Sequence, residues 1–271
     1  MRYPAVAGRF YPLDKEALVS EIESCFKHEL GPGIPQETGT ERRISAVVVP
    51  HAGYAASGMN AAHAFKKIKE DGLPEAYIVI GPDHHGIPFD FVMCSDEYLT
   101  PLGPCKIHSE IAGKLSEFIP DSVNAHRFEH SIEVEVPFLQ YIDPDPHIVP
   151  IIMGRQDMES AKKLSEFIKT ACKGHDVIVI ASSDMSHYVP KAVGKRLNSM
   201  VLDKMVAKDI DGFYSTIIKD KITVCGYGSI ATAIMTVDPK SVEVLKYSDS
   251  WDSLKYDMNS VVGYGSVAMY R

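Results

Sequence analysis

No stretch of this 271-residue chain approaches the roughly 20 consecutive apolar residues that cross a bilayer. Its opening segment, MRYPAVAGRFYP, has neither the long apolar run nor the small-residue cleavage site of a secretory leader. The expectation is a cytoplasmic protein with no membrane partner. A positive charge balance is also missing. Against 36 acidic residues stand 28 basic ones, leaving a formal charge of −8, so no overall field draws nucleic-acid phosphates or anionic lipid. The five cysteines, Cys25, Cys94, Cys105, Cys172 and Cys225, form no CxxC pair and are odd in number. That fits a reducing compartment better than a disulfide framework. There is no zinc-finger spacing, no HExxH helix and no GxSxG elbow, so any metal centre must be assembled from distant segments. The local Ser, Asp and His of SSDMSH do not by themselves make a serine triad.

What is present is ordinary globular composition, 45% hydrophobic and 24% charged. The length suits a single domain over residues 1–271. Leu18, Ile22, Phe26 and Leu30 recur every fourth position after Asp14, which predicts an amphipathic helix capped by that aspartate. The loop-like segment GPGIPQETGTERR follows as a surface connection. Short β-branched apolar runs then predict strands at 45–49, 76–80, 89–93, 147–152 and 176–181, with helices near 58–70, 109–118, 131–141, 158–172 and 191–208. A helix at 229–235 and strands at 242–247 and 261–269 complete the pattern. The alternation predicts an α/β layered fold with a central mixed, largely parallel sheet flanked by helices.

In open α/β sheets, ligands bind beyond the carboxyl ends of the strands. Three predicted strands end in Pro50-His51-Ala52-Gly53-Tyr54, in Gly81-Pro82-Asp83-His84-His85-Gly86 and in Ser182-Ser183-Asp184-Met185-Ser186-His187-Tyr188. If the strands are neighbours, the imidazoles converge on one edge, and imidazole is the commonest ligand for zinc and iron. The competing reading is that each histidine satisfies a loop hydrogen bond. Cys225 precedes a predicted helix, where helix amides would lower its pKa and also receive an anion; the other four cysteines read as small buried hydrophobes. His130 is an acid/base candidate in Arg127-Phe128-Glu129-His130-Ser131-Ile132-Glu133, with Glu129 or Ser131 as helix cap. Glu129 is a second acid/base candidate, with the alternative that Glu129, Glu133 and Glu135 are helix charges meeting solvent. Asp184 is a candidate to orient His187, to ligate a metal or to cap a helix. Tyr54, Tyr188 and Tyr227 flank these motifs and are pocket-lining candidates, with local packing as the alternative.

The motifs AGRFYP at 7–12, PHAGY at 50–54, GPDHHG at 81–86, EHSIE at 129–133, SSDMSH at 182–187, CG at 225–226 and the GYGS-bearing terminal strand together resemble the Memo family. That family is named for a mediator of cell motility in animals and is also present in archaea and bacteria. It is similar in fold to the class III extradiol ring-cleaving dioxygenases, which hold iron(II) with two histidines and a glutamate. The resemblance implies His51 and His84 as metal ligands, with the first histidine of the pair ligating in place of His85. It implies His130 and His187 as acid/base histidines, and Cys225 as the third ligand where those enzymes carry glutamate. The resemblance implies iron(II) as the leading cation, with copper or zinc as rivals, since a thiolate is softer than a carboxylate and favours copper(I) or zinc more while still accepting iron.

The resulting expectation is an iron-dependent, dioxygenase-like oxidoreductase acting on a phenolic small molecule. His187 would take a substrate proton, His130 would steady the oxygen-derived intermediate, and Asp184 would hold His187 in one tautomer. The rivals are a zinc-type metallohydrolase, a cysteine-nucleophile hydrolase, and a non-catalytic protein that binds a peptide, a phosphorylated ligand or a metal in the same cleft. The last reading draws on animal relatives described as signalling and metal-binding proteins.

Overall fold

The computed structural model describes all 271 residues. The chain opens with α1 (Lys15–Lys27), capped by Asp14, and enters the sheet as β1 (Ile44–Val49). A one-turn π-helix, Tyr54–Gly58, leads into α2 (Met59–Asp71) and then β2 (Ala76–Pro82). Three short strands follow, β3 (Phe91–Met93), β4 (Tyr98–Thr100) and β5 (Gly103–Ile107), then α3 (Ser109–Leu115) and α4 (Val123–His126). A 3-10 turn, Glu133–Glu135, opens α5 (Val136–Ile142), and β6 (His147–Met153), α6 (Met158–Ala171) and β7 (Val177–Ser182) continue the alternation. The last third holds α7 (Lys191–Val206), α8 (Ile210–Asp220), α9 (Tyr227–Val237), β8 (Ser241–Asp249), α10 (Ser250–Leu254) and β9 (Gly263–Tyr270).

All nine strands join one sheet in the order β4-β5-β6-β2-β7-β1-β9-β8, with β3 paired to the far end of β6. The run from β5 to β1 is parallel, while β9, β8, β4 and β3 pair antiparallel at the margins. The fold is therefore α/β with a mixed sheet, parallel at its centre. Side chains alternate between two cores of similar size, 37 and 32 buried residues. Val48, Ile80, Ile151 and Val179 meet α6 and α9 on one face; Val47, Val79, Ile148 and Ile178 meet α1, α2 and α5 on the other. Burial on both faces is why these strands are continuously apolar. No helix is long and apolar enough to cross a membrane.

Two departures from expectation bear on the site. The helix predicted from residue 131 starts later, at Val136, with Pro137 in its first turn, and neither Glu129 nor Ser131 caps it. Both side chains are committed elsewhere: the Ser131 hydroxyl donates to the Pro82 carbonyl at 3.0 Å, and Glu129 binds His84. Helix α8 was not expected, because Gly212, Thr216, Ile217 and Ile218 weaken helix propensity. Burial of Phe213, Tyr214 and Ile217 overrides that preference.

Candidate metal centre

Strand β7 lies between β1 and β2, pairing Ser182 with Val49 on one side and Ala181 with Ile80 on the other. The loops after β1 and β2 therefore flank the loop after β7. His51 follows β1, His84 follows β2, and Cys225 precedes α9, whose start is tied to the β7 loop by Cys225 N–H to the Asp184 carbonyl at 3.3 Å. Gly226 permits this approach, since a Cβ there would strike the Ser182 carbonyl and the Ser183 side chain. Across 174 residues of chain, Cys225 Sγ comes within 3.2 Å of His51 Nε2. One donor atom from each of His51, His84 and Cys225 lies within 4.8 Å of the others.

Hydrogen bonds set the direction of each donor. His51 Nδ1 sits 2.7 Å from Ser182 Oγ, which also lies 2.6 Å from the Ser131 carbonyl and 2.9 Å from Glu135 Oε1. A hydroxyl has one proton and two lone pairs. All three contacts are satisfied when Ser182 donates to Ser131, accepts from His51 Nδ1–H and accepts from a protonated Glu135. Burial independently pushes the Glu135 carboxyl well above the usual range. His51 Nε2 is then left with its lone pair toward Cys225. His84 is held the same way: its Nδ1–H donates to Glu129 Oε1 at 2.9 Å and its backbone N–H to Oε2 at 2.7 Å, freeing Nε2.

Glu129 also accepts the backbone N–H groups of His130 and Ser131. Burial works against its charge, but these donors and the His84 ring hold its carboxyl well below the usual range. The same pairing outweighs burial at His84 and raises that imidazole, whereas burial keeps His51 far below its ordinary value. Glu129, Glu133 and Glu135 are all buried, so the reading of them as solvent-facing helix charges is corrected. Glu133 accepts from the Arg2 guanidinium, Tyr11 and the Ala5 and Val6 amides. That anchor brings the N-terminal segment over the site, where the Phe10 ring meets His130 edge-on at 5.0 Å.

Cys225 departs from its expected environment. Its sulfur accepts from the Asp184 N–H at 3.1 Å, while Gly226 N–H is taken by Ser183 Oγ and Gly228 N–H by Gln156 Oε1. Two of the amides at the start of α9 are therefore already committed to side chains. Burial and the Asp184 carboxylate push the thiol up, so a cation rather than the helix must supply the charge that favours thiolate.

His130 stands beside the donors, its ring 4.6 Å from His84 and 5.5 Å from His51; burial depresses it to about 4. His187 lies farther out. Its Nδ1–H donates to the Thr223 carbonyl and its backbone N–H to Thr223 Oγ1, both at 2.7 Å. Thr223, not Asp184, thus fixes its tautomer and leaves Nε2 as acceptor. Asp184 instead accepts the His51 backbone N–H at 3.0 Å, caps no helix, and is raised by burial. His85 turns outward on the Asp83 turn, near Phe128. Tyr54 is buried with its hydroxyl on the Val134 carbonyl and Tyr227 packs on Tyr214, so both serve local packing. Tyr188 is exposed beside His187 with φ of 57°.

Two imidazoles and a sulfur fit a transition-metal cation. Bonds of about 2.0 Å to nitrogen and 2.3 Å to sulfur in tetrahedral array separate the donors by about 3.5 Å, close to the 3.2 Å between Sγ and Nε2. The support given by Ser182, Gln156 and Thr223 escaped the sequence reading, as did the pairing of Glu129 with His84 and of Glu135 with Ser182.

A family model described as Memo-like protein matches residues 2–268. A MEMO1 family protein of Methanothermobacter thermautotrophicus is 39% identical over 277 residues, covering 99% of this chain and 100% of its own. One from Caldivirga maquilingensis is 37% identical over 280 residues, covering 100% and 99%; one from Sulfurisphaera tokodaii is 40% identical over 280 residues, covering 98% of each. Among solved structures, an uncharacterized protein of Escherichia coli K12 aligns with a TM-score of 0.59 over 84% of this chain and 100% of that one. At 14% identity that likeness concerns the fold alone.

Proposed function

The chain belongs to the Memo family, and from that premise we propose a metal-dependent oxidoreductase whose cation is held by His51 Nε2, His84 Nε2 and Cys225 Sγ. The observation that carries the reading is the convergence of these three donors within 4.8 Å, with His51 and His84 beyond the carboxyl ends of the two strands that flank β7 and Cys225 at the start of α9, each aimed by a buried partner. Iron(II) is the favoured cation, with copper and zinc as the rivals that a thiolate donor admits. When bound, it would supply activation of molecular oxygen toward an electron-rich, phenolic substrate.

The protein's own groups divide the remaining work. His187 presents Nε2 as a base at the cleft mouth, because Thr223 occupies Nδ1–H. His130, neutral at pH 7 with burial holding it near about 4, offers a hydrogen bond to a bound ligand without adding charge. Phe10 packs edge-on against its ring.

Elemental analysis of anaerobically purified protein, followed by oxygen-uptake assays over a panel of phenols, tests the proposal. One iron per chain, lost in His51→Ala and Cys225→Ser, with substrate-dependent oxygen uptake, supports it. A chain that binds no metal, or retains its iron after both substitutions, ends it. The soft sulfur donor favours a second reading, a zinc hydrolase with His187 as base; one zinc per chain with ester or amide hydrolysis and no oxygen uptake would select that reading instead.

A further inference from the structure

The amino-terminal edge of the sheet carries a second convergence of imidazole and carboxylate. Glu75 immediately precedes β2, Asp176 separates His175 from β7, and His108 follows β5, whose end lies beside the start of β6. The starts of β2 and β7 are tied by Glu75 N–H to the Asp176 carbonyl at 2.9 Å. One oxygen of Glu75 meets both rings, His108 Nε2 at 3.0 Å and His175 Nδ1 at 2.9 Å. Donor atoms of the three residues lie within 4.8 Å of one another. The two imidazoles are largely buried, with side-chain exposures of 14% and 10%, while Glu75 is 45% exposed.

We infer that Glu75, His108 and His175 form a second, sulfur-free site for a divalent transition metal such as zinc. A tetrahedral cation with bonds of about 2.0 Å spaces its donors about 3.3 Å apart. The observed separations need open by only a few tenths of an ångström, and the solvent-side Glu75 is free to supply that movement. His175 already has the outer partner that a metal-binding imidazole requires: its Nε2 lies 3.2 Å from Glu110 Oε1, so with a cation bound Nε2–H would donate to that carboxylate and Nδ1 would turn its lone pair inward. Lys114, 2.8 Å from Glu110, balances that carboxylate. Without metal, the same groups form a hydrogen-bonded array in which Lys114 Nζ, 3.3 Å from His175 Nε2, donates to the ring and both rings donate to Glu75. A cation replaces the two bonds to Glu75. At His108 it also moves the ring proton to Nδ1, which releases the long 3.3 Å hydrogen bond from the Ile111 amide. The site is remote from the Cys225 centre, since the six-residue β7 spans about 20 Å between the two edges of the sheet. Bound there, the cation would join the starts of β2, β7 and α3.

Equilibrium dialysis of the full chain against zinc, with cobalt(II) spectra in parallel, tests the inference. The double variant His51→Ala/Cys225→Ser should bind one cation per chain, its cobalt complex lacking a thiolate charge-transfer band. Adding His175→Ala or His108→Ala should weaken that binding at least tenfold, and zinc should accelerate exchange of the Ile111 amide. If the double variant fails to fold, the wild-type chain carries the test: a bandless cobalt equivalent sensitive to His175→Ala is expected. Absence of any such equivalent, or its indifference to both histidine substitutions, overturns the assignment.

Discussion

Glu129 grips His84 at two points, taking the backbone N–H on Oε2 at 2.7 Å and the ring Nδ1–H on Oε1 at 2.9 Å. A single buried carboxylate thereby sets both where the loop after β2 runs and which ring nitrogen faces Cys225. Glu129→Ala should reduce metal affinity by about 10- to 100-fold while Cys225 stays in place. Competition against a chelator of known affinity reads the change; unaltered affinity would remove Glu129 from the support of the centre.

The hydrogen-bond count at Ser182 makes Glu135 a carboxylic acid rather than a carboxylate. Glu135→Gln, which keeps a donor toward Ser182 Oγ, should therefore melt close to the wild type and hold metal normally. Glu135→Ala should lose about 1–3 kcal/mol, the cost of leaving a buried polar contact unmade beside a new void. Thermal melts and metal titrations of the two variants side by side decide the matter. A Gln variant as damaged as the Ala variant would mean that the acid is ionised.

Under the proposed oxidoreductase reading, His187→Ala should abolish turnover and leave metal content nearly unchanged. Its ring is fixed by Thr223 and lies outside the group of converging donors. Equal loss of metal and activity would make His187 a ligand.

His126 should govern part of the acid sensitivity of the fold. It is fully buried, with Nε2–H donating to the Val92 carbonyl at 3.0 Å and Nδ1 accepting from Tyr98 at 2.6 Å. Burial lowers it to about 4, whereas the unfolded chain takes up the proton near about 6.5. Between these values the unfolded state binds more protons, so stability falls as pH drops from about 6.5 to about 4, by about 3 kcal/mol for this residue alone. Denaturant midpoints of His126→Gln across that window should show a shallower pH slope than the wild type. Identical slopes would remove His126 from the acid response.

The fold was largely legible because burial on both faces of the central sheet leaves uninterrupted runs such as Val47 to Val49 and Ile78 to Ile80, and turn-prone residues mark their ends. His51, His84 and Cys225 were legible for a related reason: reactive side chains stood just beyond those runs or just before a helix. Their partners were not. Nothing local distinguishes Ser182, whose hydroxyl donates to the Ser131 carbonyl and accepts from His51 and Glu135, from Ser183 beside it, and the pairing of His187 with Thr223 joins loops 36 residues apart. Helix propensity also misplaced Glu129 and Ser131, whose polar groups are used to join the α5 entry to the end of β2 instead of capping a helix.

The insertion of β7 between β1 and β2 imposes an order of events on the nascent chain. His51 and His84 leave the ribosome early, yet the strand that holds their loops together is synthesised much later, and the sulfur later still. A cation that demands all three donors can be captured only once the central sheet has been threaded. Tight metal uptake would then act as a timer on maturation, separating finished molecules from partly made ones.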